Sequence, residues 1–393
     1  MLLVVTSSSR AGRAALPLEP GYERAPYLQS LDRSSVVIAW IASAPGAPLV
    51  DWGTTLAYGR TAEAVSSGAR RHVRLATLEP GTEYFYRVRA GERVLAAGPE
   101  YRFVTDAGRT DDTISFFVTG DVGTDELRHV ATAESIRRAT PRPELGVVCG
   151  DVVYEKGSSR DYDVRLMHPW RDLLCNTTLW PALGNHDWGS PPEKNWEVEW
   201  HLPNNEHWYS FDRGNAHFVA LDTGDGGIFD LRNQVRWLEE DLARNQGAEW
   251  TFVYFHRPGI TCTYKKDSKA VIEHFLPIID RWRVDVVFAG HAHTYERLYP
   301  IAGGKIVDED QEPYYQDPRG TIYIVSGAGG KTKKDHPTKY CGPTAFFRDE
   351  TILWTHVVVD GATCTIRTLA SETDRPIDEI TITKARRGAL AGP

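Results

Sequence analysis

The sequence predicts an all-β domain followed by an α/β domain, and two observations carry the expectation. Between residues 24 and 106, short runs of apolar and aromatic residues recur at turn-like spacing with no helical repeat between them. From 112 to 385, short apolar runs alternate with helical segments, and many of the runs stop on Gly followed by Asp, Asn or His. The first pattern is that of a β-sandwich. The second is that of a sheet whose strands are buried on both faces and whose ligand-bearing residues gather at the strand ends.

In chain order, the first region offers VVIAWIA around Trp40, a short strand at Val50 to Trp52, then HVRLATL, EYFYRVRA and PEYRFVT. The polar segment Asp106 to Asp112 reads as a linker. The second region opens on Ile114 to Thr119, which runs into Gly120 and Asp121. A helix is expected over Thr124 to Ala139, after which Leu145 to Cys149 leads into Gly150 and Asp151, with Tyr154 three residues on. Asp161 to Cys175 is a second helix candidate, and Leu179 to Leu183 then ends on Gly184, Asn185, His186 and Asp187. YSFDRGNAHFVALDT reads as a hairpin turning at Arg213-Gly214-Asn215. Arg232 to Asn245 places Val235, Leu238 and Leu242 on a helical repeat. Trp250 to Phe255 stops on His256, and Val284 to Ala289 stops on Gly290, followed by His291 and His293. RGTIYIVS lies between loops at Lys305 to Asp317 and Gly327 to Thr344, and TILWTHVVV, TCTIRTL and DEITIT close the chain as an antiparallel edge.

Gly-Asp is an ordinary turn pair, and a lone histidine after a strand is commonly structural. Five strand ends in succession that supply Asp, Asp with Tyr, Asn with His, His, and a His pair are another matter, because turn-making alone has no reason to choose nitrogen and oxygen donors each time. In an extended segment His291 and His293 project to the same side. The set predicts a metal site. For Asp187 the orienting of His186 and a turn or cap role stand level. The aromatic stretch Trp196 to Trp208 reads as packing before it reads as a carbohydrate platform.

The ordered blocks GDVG, GDVVY, GNHD, VYFH and GHAH resemble those of the purple acid phosphatases, a branch of the calcineurin-like binuclear metallophosphoesterases. The first block distinguishes the branch: Asp121-Val122-Gly123 lacks the histidine common elsewhere in the superfamily, and Tyr154 replaces it. The resemblance implies a two-sheet α/β/β/α sandwich holding two metal ions. It assigns Asp121, Tyr154 and His293 to one ion, Asn185, His256 and His291 to the other, and Asp151 as the bridge. A tyrosinate suits Fe(III), and an amide with two imidazoles suits Fe, Zn or Mn as the divalent ion. The implied reaction is hydrolysis of small phosphomonoesters by a metal-held hydroxide, with His186 contacting phosphate or protonating the leaving oxygen. A phosphodiesterase or nucleotide hydrolase of the same superfamily is the alternative, and a non-catalytic binding protein with a degenerate site is another. One departure stands out. Family members often carry a further His beyond the one matching His256, whereas here none occurs until His274, which leaves Tyr264, Lys265 or a metal-bound water as the other candidate acids. In the first region, Leu78 to Tyr84 resembles the tyrosine corner of fibronectin type III domains and Trp40 their core tryptophan. Such a domain is expected to act as a spacer that shields or positions the catalytic face.

Composition narrows the remaining choices. With 393 residues, 41% hydrophobic and 25% charged, the chain has an ordinary globular composition. A formal net charge of -8 argues against nucleic acid or an acidic membrane surface as partner, and no stretch is long and apolar enough to span a bilayer. Met1 to Val5 is too short for the core of a signal peptide, although family members are usually secreted or periplasmic, and Asn176-Thr177-Thr178 forms a glycosylation sequon. Of five cysteines, Cys149 and Cys364 read as buried, while Cys262 and Cys341 could pair in an exported protein.

Overall fold

The computed structural model describes residues 22–109, 113–126, 128–188, 196–224, 230–263, 265, 267–334 and 342–385. Its N-terminal part is a sandwich of two antiparallel sheets. One orders Tyr22–Gln29, Val36–Ala42, Arg70–Leu75 and Val65–Ser67; the other orders Arg60–Glu63, Pro48–Gly53, Glu83–Ala90 and Arg93–Ala96, with Arg102–Val104 also paired to Glu83–Ala90. Strand Glu83–Ala90 shows the period of two that such packing demands, burying Tyr84, Tyr86, Val88 and Ala90. Tyr84, Tyr86 and Val88 meet Trp40, Trp52 and Phe103 in the core. The Tyr84 hydroxyl accepts the Glu79 N–H at 2.9 Å, so the expected tyrosine corner forms.

Two seven-stranded sheets make up the rest. The first runs Thr178–Pro181, Leu145–Val148, Ile114–Thr119, Leu353–Asp360, Thr363–Ala370, Pro376–Thr383 and Tyr314–Gln316; the second runs Tyr209–Arg213, Ala216–Ala220, Trp250–Phe255, Val286–Ala289, Ile322–Ser326, Tyr295–Leu298 and Thr344–Arg348. Phe116 of the first sheet meets Phe218 and Phe252 of the second edge-on, with ring centroids 5.0 and 5.1 Å away. Helix His129–Arg138 covers the first sheet through Ala133 and Ile136. Helices Leu231–Arg244 and Leu276–Trp282 cover the second, laying Leu238, Leu242, Ile278 and Ile279 on Val219, Val253 and Val287. The layers are thus helix, sheet, sheet, helix. Strands Ile114–Thr119, Leu145–Val148 and Thr178–Pro181 are mutually parallel, as are Ala216–Ala220, Trp250–Phe255, Val286–Ala289 and Ile322–Ser326. Each run therefore brings its carboxyl ends together.

Several elements differ from expectation. The helix expected over 161–175 breaks into Ser159–Tyr162, a π turn at Asp163–Met167 and Arg171–Leu174. Pro169 explains the break, since it offers no N–H and crowds the carbonyl four residues earlier. The helix expected from Thr124 begins only at His129. The predicted hairpin forms, pairing Tyr209 with Ala220 and Arg213 with Ala216. Trp196, Trp200 and Trp208 are buried, so this stretch packs and presents no platform. Asn176 of the sequon hydrogen-bonds to Glu100 O at 2.9 Å and to Arg142 at 2.6 Å. Cys262 is disulfide-bonded; Cys341, the partner considered from sequence, lies outside the described residues, as does Tyr264.

The sandwich is fastened to the α/β part by buried charge. Arg24 pairs with Glu199 and, at 2.6 Å, with Asp163, while Arg70 reaches Glu199 at 2.6 Å and Ser159 Oγ at 2.8 Å. Arg24 and Glu199 are both fully buried. Burial disfavours the Glu199 carboxylate, but the two guanidinium groups outweigh it and lower its pKa. The Tyr86 hydroxyl adds a bond to Cys175 O at 2.7 Å.

His217 clamps the hairpin to helix Leu231–Arg244. Its Nδ1 lies 2.7 Å from Asp212 and its Nε2 2.9 Å from Asp241. Burial opposes the charged ring, but the hydrogen bonds and charges of the two carboxylates prevail and raise its pKa above the ordinary 6.5. A raised folded-state pKa gives stability that is complete below the unfolded value and lost as pH rises through the folded one. His217→Asn should therefore lower Tm more at about pH 5 than at about pH 8.5; equal losses at both would show that the clamp is uncharged.

Candidate metal centre

The strand ends converge on one cluster, and the backbone is bent to make it. Asp121, Asp151 and His291 have φ of 56°, 47° and 67°, a left-handed conformation that non-glycine residues seldom adopt and that persists only where the surroundings enforce it. The enforcement is visible. Asp121 N–H donates to Gly150 O at 3.0 Å and Val122 N–H to Asp151 O at 3.1 Å. His291 N–H donates to Asp121 Oδ2 at 2.7 Å, and His186 N–H to Asp151 Oδ1 at 2.8 Å. At Gly184 a Cβ would stand 2.0 Å from Asp151 N, so only glycine admits this approach.

Seven side chains singled out in the sequence meet here in two groups. In the first, Tyr154 Oη lies 2.8 Å from Asp121 Oδ1, 3.1 Å from Asp151 Oδ2 and 3.2 Å from His293 Nε2. In the second, His256 Nε2 lies 3.3 Å from Asp151 Oδ1, 3.1 Å from Asn185 Oδ1 and 3.1 Å from His291 Nδ1. Asp151 thus offers one oxygen to each group. The ligand atoms of Asp151, His256 and His291 lie within 4.8 Å of one another. His291 and His293 reach the cluster by a different route from the one expected: the segment is not extended, and the left-handed turn at His291 sends the two rings to different groups.

The electrostatics suit cations. Burial, then the charges of Asp121 and Asp151, push the Tyr154 phenol well above its ordinary range. Burial disfavours charge on His256, yet Asp151 outweighs it and raises that ring to about 9. Burial, then the positive His256, Lys265 and Arg257, pull His291 down to about 2. Two buried carboxylates, a phenol, an amide oxygen and three imidazoles aim lone pairs at shared points, a donor set of hard oxygen and imidazole nitrogen that fits a pair of metal ions.

His186 stands beside the cluster. Its Nδ1 lies 2.7 Å from Glu155 O, its Nε2 3.9 Å from Asp151 Oδ2, and its ring packs on Tyr154 at 4.3 Å between centroids. Asp187 does not orient it. The buried Asp187 carboxylate accepts from Val152 N at 2.9 Å, Val153 N at 3.3 Å and Gly184 N at 2.9 Å, tying the loop after Asp151 to the loop carrying Asn185. Sequence reasoning overlooked Arg257, whose Nη1 lies 3.2 Å from His291 Nε2 and whose Nη2 lies 3.4 Å from Asn185 Oδ1. Its position directly after His256 was the available signal.

Comparison with known proteins agrees with this geometry. Residues 25–105 match the family model described as purple acid phosphatase, N-terminal domain, and residues 114–295 that of the calcineurin-like phosphoesterases. Purple acid phosphatase 21 of Arabidopsis thaliana is 30% identical over 285 residues, which is 67% of this chain and 59% of that relative, so the chain spans about three fifths of its length. Acid phosphatase type 7 of Mus musculus is 26% identical over 338 residues, covering 75% of each. The solved structure of purple acid phosphatase PPD1 from yellow lupin seeds shares the fold at TM-score 0.80 and 18% identity, over 94% of this chain and 76% of that one.

Because Asp187 satisfies three buried N–H groups, Asp187→Ala should cost about 2 kcal/mol or more in denaturant unfolding. Asp187→Asn, which keeps one acceptor oxygen, should cost less. An alanine variant as stable as the parent would show that the two loops hold their places without it.

Proposed function

The chain belongs to the purple acid phosphatase family within the calcineurin-like phosphoesterases, and from that premise we propose that it hydrolyses small phosphomonoesters at a binuclear metal centre. The observation that carries this reading is the division of Asp151 between two donor groups, one oxygen to each. Asp121, Tyr154 and His293 would hold one ion, Asn185, His256 and His291 the other, with Asp151 common to both. Fe(III) is assigned to the Tyr154 group, because a phenolate is a hard anionic donor, and Fe, Zn or Mn(II) to the Asn185 group. When bound, two such cations neutralise charge on the phosphoryl oxygens and make water acidic enough to attack under mild conditions.

The remaining work falls to the chain's own residues. His186 is proposed to protonate the departing ester oxygen. Its contact with Glu155 O supports this by fixing the ring with Nε2 on the side of Asp151. Arg257, beside Asn185 and His291, supplies positive charge on the side where no second histidine follows His256. Residues 24–106 are assigned to the β-sandwich and 112–385 to the catalytic unit, and the two separate family matches support this division. Export to an oxidising compartment is proposed from the disulfide at Cys262. Among the described residues no helix is long and apolar enough to cross a membrane.

Two measurements test the reading. Protein loaded with iron should absorb in the visible through tyrosinate-to-Fe(III) charge transfer; Tyr154→Phe should bleach it, and Asp151→Ala should lose both metals by elemental analysis. Colourless wild type with stoichiometric Fe(III) would refute the Tyr154 assignment. For His186→Ala, kcat/KM should fall roughly 10² to 10⁴-fold on alkyl phosphates and far less on aryl phosphates, whose phenolate leaves without help. A uniform loss would reduce His186 to a phosphate contact. Matched aryl mono- and diesters distinguish a monoesterase from a diesterase.

A further inference from the structure

A cavity of about 340 Å³ opens at the seam between the sandwich and the α/β part, and its two sides differ in chemistry. The α/β side supplies an apolar surface, made by Leu202 and by Trp180 and Phe211, whose rings stack at 3.8 Å between centroids. The sandwich and the segment that leaves it supply charge, from Arg33, Arg74 and Asp106. None of the seven residues of the metal centre lines this space. Its volume is that of a small-molecule site, and such sites favour the junction of two structural units.

The polar groups around the cavity are placed but incompletely used. Arg33 lies face-on against Gly108, where a Cβ would stand 2.9 Å from the guanidinium carbon. Arg74 gives Nη1 to Ser35 Oγ at 3.1 Å. Among the described residues no carboxylate pairs with either arginine, although two line the same cavity. Asp32 is taken up by the N–H groups of Ser34 and Ser35, both at 2.7 Å, and by the Ser35 hydroxyl at 2.8 Å, while Asp212 turns to His217 at 2.7 Å. Asp106 is 3% exposed; its Oδ1 accepts the Gly214 N–H at 2.8 Å, and no donor among the described residues reaches Oδ2. Trp180 is 2% exposed, and its Nε1–H has no acceptor among the described residues. Buried polar groups in folded proteins are ordinarily satisfied, because leaving one without a partner forfeits its hydration.

We infer that the seam cavity binds a free apolar α-amino acid. Such a molecule carries both charges on one carbon and its apolar body to one side, which matches a charged wall facing an apolar one. The carboxylate meets Arg33 and Arg74, the ammonium meets Asp106, and the side chain lies along Trp180, Phe211 and Leu202. An apolar acid or an apolar amine satisfies one end of this pattern and leaves the other. A phosphate ester fits worse, since its doubly charged group would approach Asp32, Asp106 and Asp212 together.

The test is calorimetric titration of the metal-loaded full chain with L-phenylalanine, hydrocinnamate, which lacks the amine, and phenethylamine, which lacks the carboxylate. Phenylalanine should bind with Kd below about 1 mM, and each of the other two about tenfold more weakly, the return of one charge-assisted contact. This comparison needs no variant. R33Q/R74Q, which alters two exposed side chains, should bind phenylalanine about as weakly as wild type binds phenethylamine. Asp106→Asn, which keeps an acceptor for the Gly214 N–H, should bind phenylalanine about as weakly as wild type binds hydrocinnamate, while its own affinity for hydrocinnamate does not fall. The inference is overturned if phenylalanine gives no saturable heat up to about 10 mM, if wild type binds the three probes alike, or if both variants bind phenylalanine as the parent does.

Discussion

Asp151 Oδ1 accepts the backbone N–H of His186 and lies beside His256, while Oδ2 lies beside the hydroxyl of Tyr154. A carboxylate has only two oxygens, so its exact pose decides where three other strand ends must stop. The left-handed turn at Asp151 aims it, Gly184 clears the space beside it, and Asp187 ties down the loop that follows. The two sheets can be seen as the frame that keeps this pose rigid. The parallel strands end together, the aromatic layer of Phe116, Phe218 and Phe252 prevents sliding between sheets, and the strain at three non-glycine positions is distributed over the bonds linking the turns.

The sequence made most of this arrangement legible because strand ends carry a strong signal. One such strand end is ordinary, but five in order that stop on oxygen or nitrogen donors are hard to mistake, and the seven side chains named from them lie together in one cluster. What it concealed is of two kinds. Local propensity over 161–175 was overridden by Pro169, and the alternation rule for His291 and His293 gave a correct convergence for the wrong reason, since a positive φ replaces the extended backbone. The second kind is long-range. Nothing near Gly329 and Gly330 in the chain hints that their N–H groups donate to Gly120 O and Asp121 O, on a turn far earlier in the sequence. Arg257 was passed over because the family pattern directs attention to a histidine further along.

The sandwich is more than a spacer in physical terms. Its Arg24 and Arg70 pin Asp163, Ser159 and Glu199, and Ser159 and Asp163 lie on the segment that continues from Tyr154 and Glu155. The hydrogen bond orienting His186 comes from that same segment. Placement of the side chain proposed as acid therefore depends on contacts made by a part of the chain that contributes no donor to the centre.

The fully buried Glu199 also bears on how such a protein can be inherited. A catalytic half separated from its sandwich would open Glu199 to water, and a foreign sandwich that covered it again without guanidinium groups at matching points would bury an unpaired carboxylate. Exchange of modules by recombination is correspondingly restricted: the two halves can diverge freely at their outer surfaces, but must change in step across the seam between them.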